Sequence, residues 1–419
     1  MRVSGNFQPG HAMHRIRRRP SVALLIVAAL GFLVAGCSSL PRTPYGVADA
    51  SSARVLNLTE LRRYADEPAA TFRQDRHQAV LRGPRTYLAL SGGGADGAYG
   101  AGVLNGWTEA GTRPSFSIVS GVSTGALIAP FAFLGPDHDA TLRHLYTSGV
   151  AASLLDAPSP FNAIFGAGLF GNTRLRELVA NYIDADFVAA VATEYAKGRL
   201  LLIVTTNLDS QRAAIWDMGK IASLRTPEAL NLFRDVVAAS ASLPVVFPPM
   251  LVTAEANGRR FQEMHVDGGV TAPVLTLPEA FLLRDAKLAK AGEKADDLQL
   301  YILINNKVEP EFQLVANSTI EIAARSSSTI VKTQTRSILY STYDFTRRNK
   351  FGFNLSYIEG RVAAAATSGF DTAYMRGLFQ YGYDRARRGQ AWSKSPPSDA
   401  LNPTAGHRAS PARQAVAGD

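Results

Sequence analysis

The sequence predicts an α/β protein: three α/β/α layers around a mainly parallel central sheet. Three observations support this. Short apolar runs stop abruptly at glycine or polar residues, as buried parallel strands do. Segments with helical apolar spacing alternate with those runs. The 419 residues are 46% apolar and 19% charged, enough to build a sizeable core and too apolar for wholesale disorder.

In chain order, Tyr87–Ser91 reads as a buried strand that stops at a glycine cluster, and Ala98–Ala110 as a helix. Phe116–Ser120 is a second strand, followed by an almost wholly apolar helix over Thr124–Phe133. Leu200–Thr206 and Leu298–Asn305 are further strands, ending at Asn207 and Asn306. Thr319–Thr346 forms one or two amphipathic helices, and Phe351–Tyr357 another strand. In such folds ligand chemistry gathers at the carboxyl ends of the strands.

The formal net charge of +9 sits at the two ends of the chain. Residues 1–36 hold five arginines and no acid, residues 385–419 carry a net +4, and the body between them balances. This distribution argues against a nucleic-acid partner. Arg15, Arg17, Arg18 and Arg19 precede the apolar run Val22–Ala35. As a helix, that run spans about 21 Å, short of a bilayer's roughly 30 Å core, so it fits an export signal better than a permanent span. Met13 is an alternative start that leaves the signal intact. Leu33-Val34-Ala35-Gly36-Cys37 resembles a bacterial lipobox. That resemblance implies lipidation of Cys37, the single cysteine, and membrane attachment through it. Ser38 in place of an aspartate favours the outer membrane of the cell envelope. An ordinary signal with a chance cysteine is the competing reading. One cysteine also excludes an intrachain disulfide.

The expected organisation is a signal over 1–36, a tether and extension over 37–84, and a catalytic domain over 85–275. A helical and strand region over 276–388 then packs on that domain, and 389–419 forms a disordered basic tail.

Gly92-Gly93-Gly94-Ala95-Asp96-Gly97 follows a strand and opens a helix. Gly92, Gly94 and Gly97 fit a dinucleotide fingerprint, but no acid lies between Glu109 and Asp137 to cap the next strand. The same glycines can instead turn amide groups toward one point at a helix N-terminus and receive an oxyanion. Gly121-Val122-Ser123-Thr124-Gly125 is a G-x-S-x-G pentapeptide between a strand and an apolar helix, the setting of an exposed nucleophile. Ser123 needs a base. His265 and Asp267 are two residues apart and share a face in an extended segment, so both compete for that role. Gly268 and Gly269 follow and permit a sharp turn.

These motifs, with Ala239-Ser240-Ala241-Ser242-Leu243-Pro244 before the last of them, resemble the patatin-like phospholipases in content and order. The resemblance spans roughly 85–275, with weaker support from Phe370–Tyr383. It implies an α/β/α fold and hydrolysis of lipid or phospholipid acyl esters by a Ser123–Asp267 dyad. Gly92, Gly93 and Gly94 would form the oxyanion loop, and the chemistry needs no metal or organic cofactor. Asp96 departs from the pattern, because family members often place Arg or Lys there. Phe161–Phe170, apolar and glycine-containing, is expected to form part of an acyl-chain groove or a cover, or else to pack in the core. Two alternatives remain open here. One is a Ser123–His265 triad esterase for small esters, and the other a non-catalytic lipid-binding envelope lipoprotein.

Overall fold

A computed structural model describes Met1 and residues 42–68, 70–71, 85–155, 172–276, 298–360 and 370–397. The export signal, Cys37 and the Phe161–Phe170 stretch lie outside the described residues.

Among the described residues, nine strands join in one sheet: β1 (Arg62–Tyr64), β2 (Arg85–Leu90), β3 (Ile118–Val122), β4 (Leu200–Asn207), β5 (Arg212–Asp217), β6 (Met250–Ala256), β7 (Arg259–Asp267), β8 (Leu298–Lys307) and β9 (Gly352–Ile358). The main order is β1-β5-β4-β3-β2-β8-β9, and a β6–β7 hairpin attaches through β7 to β4. The central pairs are parallel, while β1–β5, β4–β5, β6–β7 and β4–β7 are antiparallel.

Helices cover the sheet. They are α1 (Val47–Ser51), α2 (Gly97–Glu109), α3 (Thr124–Leu134), α4 (Asp139–Thr147), α5 (Asn172–Tyr182), α6 (Ala185–Ala196), α7 (Met218–Ser223), α8 (Pro227–Ser240), α9 (Thr319–Asn349) and α10 (Thr372–Arg387). Strand alternation divides the apolar residues between two cores. Leu88, Leu90, Val119, Leu201 and Ile203 face α2, α3 and α8. Tyr87, Ala89, Ile118, Leu202 and Val204 face the other way, toward Leu339 and Phe345 of α9. A strand buried on both faces can be apolar throughout, which explains the run Leu-Leu-Leu-Ile-Val in β4.

Four expectations are adjusted. The second strand begins and ends two residues later than its apolar run suggested, so β3 delivers its last residue, Val122, directly to Ser123. The amphipathic stretch after β8 is one helix of 31 residues. Residues 276–388 do more than pack on a finished unit: β8 pairs with all six residues of β2 and completes the sheet. The chain also does not leave the fold at residue 389. Ala391 is buried, Trp392 packs on Trp107 and Tyr301 with ring centroids 4.7 and 5.0 Å away, and Ser393 pairs with Leu355. An aromatic anchor and a backbone pairing hold a segment whose Ser and Pro content reads as tail.

Candidate active site

The site follows from how β4 uses one of its edges. Along Leu200–Val204 that edge pairs with β3 in parallel; along Thr205–Asn207 it pairs with β7 antiparallel. The two strands therefore run toward each other and meet between Val204 and Thr205. The residue leaving β3 is Ser123, and the last residue of β7 is Asp267. The Ser123 hydroxyl lies near enough to the Asp267 carboxylate to favour its ionised form. Gly268 is required by this closeness. A Cβ there would lie 2.4 Å from the Val204 carbonyl oxygen.

Ser123 occupies φ 56°, ψ −125°, a conformation that strains a residue with a side chain. The turn is held from three sides. The Ser123 amide donates to Ser240 Oγ at 3.1 Å, and Ser240 in turn donates to the Val204 carbonyl at 2.6 Å. Helix α3 starts at Thr124, so its positive dipole end lies behind the serine. Gly125 lets that helix approach the end of β2, where a Cβ would come within 2.5 Å of the Leu90 carbonyl oxygen.

Asp267 is buried, and among the described residues it has no cationic partner. Its Oδ1 accepts from the Gly269 amide at 2.7 Å, and its own amide donates to the Ser242 carbonyl at 3.0 Å. Burial pushes the carboxyl up to about 6, against the lowering effect of the Ser123 hydroxyl and the Gly269 amide. A carboxylate of that strength beside a hydroxyl can take its proton near neutral pH and release it again.

The three loop glycines differ in availability. The Gly92 amide donates to the Pro273 carbonyl at 3.0 Å, so it is committed within the fold and cannot serve as an oxyanion donor. Gly93 and Gly94 lead into the 3-10 turn Gly94–Asp96 that precedes α2. Asp96, in that turn, accepts from Tyr374 Oη of α10 at 2.8 Å. Burial raises its carboxyl to about 6, and Lys307 and Lys332 oppose the rise.

His265 does not reach the serine. Its Nδ1 pairs with Thr205 Oγ1 at 2.8 Å and its Nε2 with Glu263 Oε2 at 3.2 Å. Glu263 forms a two-pronged ion pair with Arg62, with the Nη2–Oε1 arm at 2.7 Å. Glu263 is held at about 2 by His265 and Arg62 despite its burial, and burial pushes the histidine down, leaving it neutral. An ionised Glu263 only accepts, so Nε2 carries the hydrogen and Nδ1 accepts from Thr205. Both ring nitrogens are used within the core. This geometry removes the support for a Ser123–His265 triad.

An apolar cavity opens one residue past the serine. Thr124, Leu127 and Phe131 of α3, Tyr146 of α4, and Val179 and Ile183 at α5 are among its walls.

Sequence motifs pointed to Ser123, Asp267 and the glycine loop. They did not reveal Ser240, Pro273 or Tyr374, each of which acts through a backbone group or a helix far along the chain. The Ala239–Pro244 block was the available signal for Ser240.

A family model for the patatin-like phospholipases matches residues 88–278. Among solved structures, the chain resembles VipD from Legionella pneumophila at 13% identity and TM-score 0.33, over 74% of this chain and 67% of that one. It resembles the type III effector ExoU at 13% identity and TM-score 0.23, over 74% and 53%. Human GIVD cytosolic phospholipase A2 is similar at 14% identity and TM-score 0.25, over 74% and 52%. The chain thus spans about half the length of the last two. Among curated proteins none matches it.

Proposed function

We propose that this protein, whose residues 88–278 match the patatin-like phospholipase family model, cleaves lipid acyl esters with a Ser123–Asp267 dyad and no histidine. The observation that carries this reading is the head-on meeting of β3 and β7, which leaves the Ser123 hydroxyl facing a buried, uncompensated carboxylate.

Asp267 removes the hydroxyl proton as Ser123 Oγ attacks the ester carbonyl carbon. The oxyanion of the tetrahedral intermediate is received by the amides of Gly93 and Gly94, with the α3 N-terminus adding to the field. Gly92 drops out of the expected trio because Pro273 occupies its amide. Asp267 then returns the proton to the leaving alkoxide, and an acyl-enzyme remains. In the second half, Asp267 takes a proton from water, the resulting hydroxide attacks the acyl carbon, and Ser123 is released with its proton restored. The cavity beside Thr124 takes the acyl chain, whose methylenes gain by leaving water. The protein acts in the cell envelope, held at the outer membrane by lipid on Cys37.

Fatty-acid release across a panel of phospholipids and neutral esters tests this reading. Release by the wild type and none by Ser123→Ala is expected. No release from any member of the panel would favour a protein that binds lipid without cleaving it.

A further inference from the structure

Several of the exposed large apolar side chains belong to segments around the carboxyl ends of the strands. Phe312 is 99% exposed, Leu314 88%, Val245 73% and Ile330 66%, and Leu243 and Val270 are exposed as well. Isolated exposed apolar residues are ordinary, but these lie on segments that lead directly out of the active site. Leu243 and Val245 follow Ser242, whose carbonyl binds the Asp267 amide. Val270 lies three residues past Asp267, and the next residue, Thr271, accepts through its carbonyl from Gln334 Nε2 of α9 at 2.8 Å. One turn before Gln334 on α9 is Ile330. Lower on the same helix, Arg325 Nη1 donates to Gln313 Oε1 at 3.2 Å, which places Phe312 and Leu314 beside it. These bonds tie the segments that follow Ser242 and Asp267, helix α9 and the loop before it to one end of the sheet.

The strand ends give this neighbourhood its shape. Leu90, the last residue of β2, is level with Leu303 of β8, and Val122 of β3 with Val204 of β4. Strands β8 and β4 continue past those levels to Lys307 and Asn207. Strand β7 lines the extension of β4, so the serine sits in a recess between the end of β7 and the longer β8. The apolar residues rim that recess.

The amino-terminal chain joins the body at the same end of the sheet. Arg42 Nη1 binds Asp209 Oδ2 at 2.7 Å, and Tyr45 Oη binds the same oxygen at 2.9 Å. Asp209 lies two residues past the end of β4. Cys37 precedes Arg42 by five residues, which reach at most about 18 Å when fully extended.

We propose that this rim is the surface on which the protein sits on a bilayer, with the recess opening onto the leaflet that holds its own anchor. The proposal rests on the reading above in taking Cys37 as lipidated and lipid as substrate. A tether of that reach, attached beside the strand ends, keeps the rim rather than the opposite end of the sheet against the bilayer. Charge contributes little. Lys307, Arg325, Lys332 and Arg336 are offset by Asp96, Glu309, Glu311 and Glu321, so the contact is apolar and does not depend on anionic lipid.

The test uses the lipidated full chain, carrying Ser123→Ala, reconstituted into phosphatidylcholine vesicles at 0.5 M salt, so it does not depend on turnover. Because lipid occupies the lone natural cysteine, Leu314→Cys offers a single thiol for an environment-sensitive fluorophore. Thr112→Cys, exposed in the loop before β3 at the opposite end of the strands, is the control. The 314 probe should be shielded from aqueous iodide about fivefold relative to the 112 probe, and quenched by spin-labelled lipid. Equal quenching at the two positions, or failure of the protein to float with the vesicles, overturns the proposal. So does shielding of the 314 probe that persists without vesicles and rises with protein concentration, since a second copy would then cover the rim. In the active protein, Phe312→Ser with Leu314→Ser should lower turnover of vesicle phospholipid about tenfold. Hydrolysis of a water-soluble butyrate ester should stay within twofold. Equal loss on both substrates counts against the rim. If the wild type turns over neither substrate, the hydrolase reading fails while the shielding result still decides the surface.

Discussion

Strand β7 carries two buried acids four residues apart, Glu263 and Asp267, and they illustrate opposite uses of burial. Glu263 is matched by Arg62 and by the N–H of His265, and its carboxyl is held at about 2. Asp267 has one backbone amide and one hydroxyl for company, and its carboxyl is pushed up to about 6. The first acid is neutralised by neighbours and serves the fold. The second is left uncompensated where the strand ends, at the one place where β7 meets a serine. A buried charge with a partner serves the fold; one without a partner is a candidate base. His265, between them in sequence, belongs to the first group because β4 and Glu263 occupy both its nitrogens.

The largest effects should separate the two regions outright. Ser123→Ala is expected to lower kcat by about 10⁴-fold and Asp267→Asn by about 10³-fold, measured as fatty-acid release. Both should remain folded. Asp267→Asn should in fact be harder to denature than the wild type at pH 8. The ionised, buried carboxylate costs stability as pH rises from about 3.8 through about 6, by roughly 3 kcal/mol in full. A denaturant melt of the variant at pH 8 and pH 4 should show that advantage only at the higher pH.

Arg62→Met should do the reverse. It leaves Glu263 buried and unpaired, and is expected to cost about 3–5 kcal/mol of stability while the folded fraction keeps its kcat. Glu263 itself contributes stability above about 4.5 that is lost as pH falls toward about 2. His265→Ala should destabilise by about 1–3 kcal/mol, through the unpaired groups it leaves, and reduce kcat by less than fivefold. Complete inactivation of a folded His265→Ala protein would move the histidine into the other group.

The pH profile sharpens the same contrast. Asp267 must be ionised to act, so kcat/KM should fall about tenfold per unit as pH drops below about 6, and level off above it. The smallest effect is expected at Tyr374. It holds Asp96, and with it the turn that presents Gly93 and Gly94. Tyr374→Phe should lower kcat a few-fold and leave KM unchanged, since the turn acts on the transition state more than on the bound ester.

Much of the candidate site was legible because its motifs are local. A strand, a tight glycine turn and a helix are adjacent in sequence, so Ser123 and the Gly92–Gly97 run could be located from composition and spacing alone. The aspartate was harder. His265 and Asp267 share a strand face, and only the β3–β4–β7 arrangement separates them. Pairing partners 60 or more residues away leave no mark on local periodicity. The antiparallel strands β5, β6 and β7 were missed for another reason: their half-buried patterns are short and mixed. Gly92 reads as an oxyanion donor until Pro273 is seen to take its amide. Asp96 reads as a misplaced acid until Tyr374 arrives from α10, 278 residues further on. Trp392, with the Ser393–Leu355 pairing beside it, holds a segment whose composition otherwise reads as tail.

Active-site labelling tests the dyad most directly. The wild type, His265→Ala and Asp267→Asn proteins would each be treated with an alkyl fluorophosphonate at pH 8, and the adduct located by peptide mass spectrometry. The dyad predicts an adduct on Ser123 in wild type and in folded His265→Ala, with labelling slowed by two orders of magnitude or more in Asp267→Asn. Wild-type labelling rates in Asp267→Asn, or an adduct on any residue other than Ser123, would contradict it.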